Sequence, residues 1–158
     1  MADNIKPIGI KVDDGRRRVP ITNSYDDEVG VFYFNPTDIN IIERYNNLAK
    51  NFNHVLEPLE NLPDSDENAT DEGIDMQRIN ALNEAKNRLG EAVNELFGAD
   101  CVEAFFGSIH PFSPVDGKFY CEVVLEAVGR YISEQFKVET EKVSKRVAKY
   151  TSKYTRKK

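Results

Sequence analysis

Apolar residues recur at helical spacing near the end of the chain, between residues 120 and 136. When residues are placed at steps of about 100° around a helix axis, one face collects the apolar side chains and the opposite face is mostly charged. The apolar face consists of Tyr120, Cys121, Val124, Leu125, Val128, Tyr131, Ile132 and Phe136. So wide an apolar arc is typical of a helix that lies against a hydrophobic core.

Beyond Phe136 the arc narrows to a seam whose residues are spaced by four, three and four. The seam consists of Val143, Val147, Tyr150 and Tyr154, and the basic residues beside it include Lys145, Arg146 and Lys149. Such a narrow apolar seam on a basic helix is typical of a segment that leaves its domain and binds another helix. We therefore predict a globular domain over residues 1–136 and a basic helical extension over 137–158. These seam and basic residues are the candidate partner-binding site.

The N-terminal third shows the two-residue period of strands. Ile8, Ile10 and Val12 alternate with other residues, and a turn over 13–15 precedes a return strand over 17–21. Pro20 restricts that strand to an edge because proline cannot donate a ladder hydrogen bond. Residues 29–34, rich in β-branched and aromatic side chains, predict one further strand.

Helical periodicity accounts for the middle of the chain. It predicts a helix from Thr37, as N-cap, to about Leu59, a second helix over 74–97 and a short turn over 101–106. Gly98 and Gly107 end the latter two, and Phe112 and Val115 should hold the following loop. The predicted stripe of the first helix is Ile39, Ile42, Tyr45, Leu48, Phe52, Val55 and Leu59. The predicted fold is α+β and predominantly helical: an N-terminal β-hairpin plus one further strand packed on a helical core, with a long basic C-terminal helix.

Charge is distributed unevenly. Residues 137–158 contain nine Lys or Arg and two Glu, a net charge of +7, so residues 1–136 carry −13 of the total of −6. An acidic body is unlike a nucleic-acid-binding domain, so nucleic acid is an unlikely partner. The tail alone could still contact nucleic acid or an acidic protein, or be a solvated helix end. Residues 60–75 contain seven acidic residues and no basic one, which predicts an exposed, mobile loop.

The common catalytic constellations are missing from the sequence. There is no glycine-rich phosphate loop, no G-x-S-x-G motif and no H-E-x-x-H motif. Cys101 and Cys121 are expected to be small buried apolar residues, and neither His54 nor His110 has a Cys or His at ligand spacing. A cysteine–histidine nucleophile would need His110, which we expect in a partly exposed loop. We predict a non-enzymatic protein with no catalytic residue, no metal site and no cofactor.

The sequence also bears on location. Apolar runs fall short of the roughly 18 residues that a membrane span needs. The N-terminus lacks the charged-then-apolar order of a secretory signal. We expect a cytoplasmic protein with no membrane association.

Several junction motifs together resemble one family. They are Phe34-Asn35-Pro36-Thr37-Asp38, Arg44-Tyr45, Leu96-Phe97-Gly98, Phe105-Phe106-Gly107 and Asp116-Gly117 before a last helix with a basic tail. This combination resembles small phage and prophage proteins of Gram-positive, Clostridia-like hosts that are described as tail assembly chaperone-like. The resemblance covers most of residues 29–158 and is weaker over the first hairpin.

The resemblance implies a function in the cytoplasm of the phage host. Such proteins coat the long helical tape-measure protein while tail tube subunits polymerise around it, and they are absent from the finished virion. The implied partner is a helical tail protein, with self-association into a homo-oligomer as a further expectation. The alternative is a phage-encoded interaction protein of another kind, either a structural tail component or an acidic inhibitor of a host defence nuclease.

Overall fold

A computed structural model of the chain describes residues 8–60, 62, 71–98 and 100–155. Within them lie four short strands and five helices. The strands are β1 (Arg17–Thr22), β2 (Glu28–Phe34), β3 (Pro114–Val115) and β4 (Lys118–Phe119); the helices are α1 (Ile39–Lys50), α2 (Phe52–Glu60), α3 (Asp71–Phe97), α4 (Val102–Phe106) and α5 (Tyr120–Thr155). The predicted fold class is confirmed: the protein is α+β and predominantly helical, with an N-terminal hairpin and a long C-terminal helix.

The hairpin, however, is not formed by the predicted strands. β1 pairs antiparallel with β2, Val19 lying opposite Phe32, whereas Ile8 and Ile10 are almost fully exposed and belong to no strand. The prediction of a strand over 8–12 is therefore wrong. An alternating pattern of apolar residues forms a strand only when a neighbouring strand is free to hydrogen-bond with the segment. β1, the expected neighbour of residues 8–12, already pairs with β2. Because Pro20 has no backbone N–H, the free edge of β1 also lacks a donor that a second neighbouring strand would need.

The predicted helix over 37–59 is two helices that meet at Asn51. Asp38, not Thr37, is the N-cap, because its side chain accepts a hydrogen bond from the Asn40 N–H at 2.9 Å. Ile39 is exposed, contrary to the predicted stripe, and Ile41 is buried in its place. The break at Asn51 lets both α1 and α2 pack on α3, which a single straight helix would not allow.

A proline inside α2 is compensated by α3. Pro58 has no N–H, so the carbonyl of His54, four residues earlier, loses its helical donor. Arg88 of α3 takes that place: its Nη1 donates to the His54 oxygen at 2.9 Å. The same guanidinium contacts Glu57 at 3.4 Å and Glu84 at 3.2 Å. This arginine therefore ties α2 to α3 through a backbone acceptor that has lost its usual donor.

We expect Arg88→Ala to lower the free energy of unfolding by about 1 kcal/mol, since a charge-assisted hydrogen bond to the exposed His54 carbonyl is lost. In a Pro58→Ala background the restored N–H can serve the same carbonyl, so the cost of Arg88→Ala should shrink. Urea unfolding of the four proteins in the double-mutant cycle measures this coupling. Equal costs in both backgrounds would mean that Arg88 acts only through its carboxylate partners.

Aromatic rings form the centre of the core. Phe105 of α4 lies 5.2 Å from Phe32 and 5.1 Å from Phe97, between ring centroids. Phe34 lies 5.2 Å from Phe97 and 6.3 Å from Tyr131 of α5. The cluster therefore joins the hairpin, the end of α3, α4 and α5 in one contact region.

The helix ends predicted at Gly98 and Gly107 are confirmed. α3 ends before Gly98, whose φ of 69° is left-handed, and α4 lies between Cys101 and Gly107. Residues 71–75 are helical, so the predicted acidic loop is wrong there. Residues 61 and 63–70, the rest of that prediction except Glu60 and Leu62, lie outside the described residues.

A two-residue turn joins β3 to β4, and α5 begins directly after β4. Asp116 and Gly117 have φ values of 50° and 79°, the left-handed pair that a tight hairpin turn between β3 and β4 requires. Phe112 is buried against Phe119, with ring centroids 5.2 Å apart. Val115 is exposed, so its predicted anchoring role is wrong. Phe112 and Phe119 already occupy the inner side of this hairpin.

Candidate partner-binding surface

α5 changes its environment along its length. Cys121 and Ile132 are buried, whereas every described side chain from Phe136 to Lys149 is exposed. The helix nevertheless continues to Thr155, so the backbone bears out a helical continuation of the domain. The division into a domain over 1–136 and an extension over 137–158 remains a prediction about independent folding.

The predicted seam lies on this exposed part. Val143 and Val147 are 59% and 56% exposed, one helical turn apart. Lys145, Arg146 and Lys149 are also exposed. Tyr150 and Tyr154 belong to α5, but their side chains lie outside the described part of the chain.

The same spacing continues toward the domain, which the sequence analysis missed. Counting back from Val143 by three, four and three gives Thr140, Phe136 and Ser133. The Thr140 hydroxyl donates to the Phe136 carbonyl at 2.6 Å, which satisfies its polar group on the helix itself. The seam is therefore continuous with Phe136 at the edge of the core. The sequence signal for this continuation was the seam spacing of Thr140 and Ser133, which are polar and small and were therefore not counted with the apolar residues.

A second feature is a groove between α1 and α5, which we call the α1–α5 groove. Tyr45 divides it into cavities of about 360 and 550 Å³. Its walls carry large apolar side chains that are half-buried or buried except for the exposed Phe136, and both acidic residues and Arg130 lie beside them. The lining includes Ile42, Leu48, Phe52, Leu125, Ile132 and Phe136, with Glu122 and Glu126 on α5. No local pattern predicts such a groove, because its two walls are about 80 residues apart in sequence.

Tyr45 holds the two walls of the groove together. Its hydroxyl donates to the carbonyl oxygen of Leu125 at 2.9 Å. Gly129 makes room for the ring, since a Cβ there would lie 2.8 Å from Tyr45 Cζ. Burial, and to a smaller extent Glu126, raises the pKa of Tyr45, so the hydroxyl stays protonated and able to donate at neutral pH.

A third cavity, of about 500 Å³, lies between α1, α2 and α3 and is lined by two arginines. Arg88 serves the His54 carbonyl and two carboxylates, as described above. Arg44 Nη1 donates to the carbonyl of Leu96 near the end of α3, at 3.4 Å. Both guanidinium groups thus contact helix carbonyls, an arrangement that joins helices.

The residues considered for nucleophilic chemistry have other contacts. Burial raises the pKa of Cys101 and of Cys121 to about 12, so both buried thiols stay protonated. The expectation of two small buried residues is confirmed. His110 is half-buried: its Nδ1 accepts from the Phe112 N–H at 3.1 Å and its Nε2 lies 3.0 Å from Asn83 Oδ1. Burial and then Lys86 lower the pKa of His110.

The described residues provide neither a metal-binding cluster nor a membrane-spanning helix. No group of three or more His, Cys, Asp or Glu side chains among them is placed to hold a metal ion. None of the helices in that same part of the chain combines the length and apolar character needed to cross a membrane.

The geometry thus provides two surfaces that could receive another helix: the exposed seam of the extension and the α1–α5 groove. Comparison of the chain with protein-family models, with curated proteins and with solved structures gave no match.

Proposed function

We propose that the protein is a non-enzymatic phage tail morphogenesis factor, similar to tail assembly chaperones, that acts in the host cytoplasm. It binds a helical tail protein, the tape-measure protein, through the α5 extension. The observation that carries the proposal is the pair of exposed valines, Val143 and Val147, on a basic helix that continues beyond the core. The resemblance of the junction motifs supports the identity of the client.

A contact through two valines would be weak, as a transient role in tail assembly requires. Burying one valine side chain contributes about 1.5–3 kcal/mol, and part of that gain is offset by the loss of freedom on binding. One copy would therefore bind weakly and reversibly. Many copies along one long helical client would cover it and still be displaced when tail tube subunits polymerise.

We expect Val143→Asp and Val147→Asp each to lower affinity for the tape-measure protein by roughly tenfold or more, because a charge replaces a buried apolar contact. The measurement is co-expression with the tape-measure protein, followed by co-purification and by titration of the complex. The melting temperature of each variant should stay close to that of the wild type, since both valines are exposed.

Val138→Asp is the matched control. Val138 is 48% exposed on the same helix but lies off the seam, so its substitution should leave co-purification unchanged. Equal loss in all three variants would point to a general effect on the helix, and unchanged binding in all three would contradict the proposed function.

The second candidate is an interaction protein of another kind, a structural tail component or an acidic inhibitor of a host defence nuclease. The observation that favours an inhibitor is the charge of −13 on residues 1–136, since an acidic surface can occupy a basic nucleic-acid channel. An inhibitor would slow nuclease activity in a salt-sensitive manner, and the seam variants would inhibit as well as the wild type.

A further inference from the structure

Within the described residues, α1 covers only the first half of α5. Tyr45 of α1 donates to the carbonyl of Leu125, whereas Ile42, three residues earlier in α1, lines a cavity with Phe136. α1 therefore runs antiparallel to α5 and begins close to the level of Phe136. Every described side chain of α5 from that level onward is exposed. The seam thus lies where a helix that continued the position of α1 would pack.

We propose that a second copy of the chain occupies that place: the exposed parts of two α5 helices pack antiparallel through their seams as a short two-stranded coiled coil. From Phe136 through Thr140 to Tyr154, the positions of the seam and its continuation are spaced alternately by four and three residues. This is the heptad spacing that such a pair of helices requires. The two-fold axis passes beside Lys145. The inference concerns the protein without a client and stands independently of the proposed function.

The body of the protein fixes this register. With the axis beside Lys145, Tyr154 of one copy lies at the level of Phe136 of the other, so the second helix ends where α1 begins. If the axis moved half a heptad toward the body, Tyr154 would instead meet Gly129. That place is already filled, because a Cβ on Gly129 would lie 2.8 Å from Cζ of Tyr45. The layers of the permitted register, each formed twice, are Phe136 with Tyr154, Thr140 with Tyr150, and Val143 with Val147.

The charges of the extension are compatible with this packing, although their sum is +7. Beside the seam, Glu139 of each copy lies next to Lys153 of the other, and Arg146 lies next to Arg146 of the second copy. Two attractive contacts are therefore set against one repulsive contact. At steps of about 100° per residue, the remaining basic residues of this part of the helix lie away from the seam and stay in solvent. They are Lys142, Lys145 and Lys149.

Charge also selects antiparallel over parallel packing. Residues 1–136 of each copy carry −13, and parallel helices would place the two acidic bodies side by side, where they repel each other. Antiparallel helices place the bodies at opposite ends of a segment of about 27 Å, at about 1.5 Å per residue. The basic end of each extension then lies beside the acidic body of the other copy. Because the interface is the same on both copies, it closes as a dimer.

Sedimentation of the full-length protein at several concentrations gives the dimer dissociation constant. We expect Glu139→Lys to raise it by roughly fivefold or more, because the pair with Lys153 occurs twice, and Glu139→Lys/Lys153→Glu to recover most of the loss. Recovery matters because Glu139 also contacts Lys142 of its own helix at 3.2 Å. Glu141→Lys is the matched control, since it makes the same change of charge on the side away from the seam. It should leave the constant within about twofold.

Arg146→Gln should change the constant in the opposite direction. It removes the one like-charge contact at the axis, so we expect the dimer to tighten by about twofold or more. Equal effects of Glu139→Lys and Glu141→Lys, or a weaker dimer in Arg146→Gln, would contradict the register.

Cysteine cross-linking tests the direction of the helices. Oxidised Thr140→Cys/Tyr150→Cys protein should form a covalent dimer; the native thiols are buried. Neither single variant should, because the two copies of one position lie about 15 Å apart along the axis, and a disulfide needs Cα atoms within about 7 Å. Cross-linking of the single variants would show parallel helices and overturn the inference.

Two further results would overturn the inference: a protein that stays monomeric up to about 1 mM, and a dimer that the double cysteine variant does not cross-link. Client binding by a strictly monomeric protein would refute the dimer and leave the proposed function intact. A dimer with this register that binds no client would do the reverse.

Discussion

Phe105→Ala should lower the free energy of unfolding by about 3–5 kcal/mol, the range for removing a buried phenylalanine side chain. The ring is 3% exposed and contacts Phe32 and Phe97, which belong to different elements. The cavity left by alanine cannot close easily, because the surrounding rings are held by the hairpin and by α3. Urea unfolding followed by far-ultraviolet circular dichroism measures the change.

Tyr33→Ala is the control for that experiment. Tyr33 is also an aromatic residue, on β2, but it is 61% exposed, so its loss should cost about 0.5 kcal/mol or less. Similar costs for the two variants would mean that the hairpin does not pack on the core as described.

Gly30→Ala should cost about 3 kcal/mol, at the upper end of overpacking effects. Any Cβ at position 30 would lie within 3.0 Å of the Ala104 carbonyl carbon and against its oxygen. These are backbone atoms of α4, so no side-chain rotation relieves the clash, and β2 would have to move away from α4. The shift of the urea midpoint, with its slope checked for constancy, reports the cost.

Gly9→Ala is the matched control for Gly30→Ala, since nothing lies within 4 Å of a Cβ at position 9. The control should be nearly neutral, within about 0.5 kcal/mol of the wild type. If Gly30→Ala were equally neutral, the close approach of β2 to α4 would be wrong, and with it the position of the hairpin on the body.

Phe105→Ala and Gly30→Ala both test the packing of residues 1–136, from which the extension continues. The aromatic cluster includes Tyr131, in the first half of α5, so loss of the cluster would release the helix that carries the seam. Variants of the seam itself should behave in the opposite way, with binding changed and stability retained.

The helical part of the fold was predictable from the sequence because its signals are local. The apolar face over 120–136 predicted the first half of α5, and Gly98 and Gly107 marked the ends of α3 and α4 because each adopts a left-handed φ. The seam residues Val143 and Val147 were predicted as exposed for the same reason: a stripe that narrows to two valines and two tyrosines leaves too little apolar surface to lie in a core.

The contacts between distant parts of the chain were decided only by the tertiary structure. Ile8, Ile10 and Val12 carry a strand pattern but have no neighbouring strand, because β1 pairs with β2. The helix break at Asn51 follows from packing two segments on α3, and Arg88 completes α2 from 34 residues away. The α1–α5 groove exists because Tyr45 reaches the Leu125 carbonyl over a separation of 80 residues. Periodicity describes which face of an element is apolar; which surface covers that face depends on where the other elements lie.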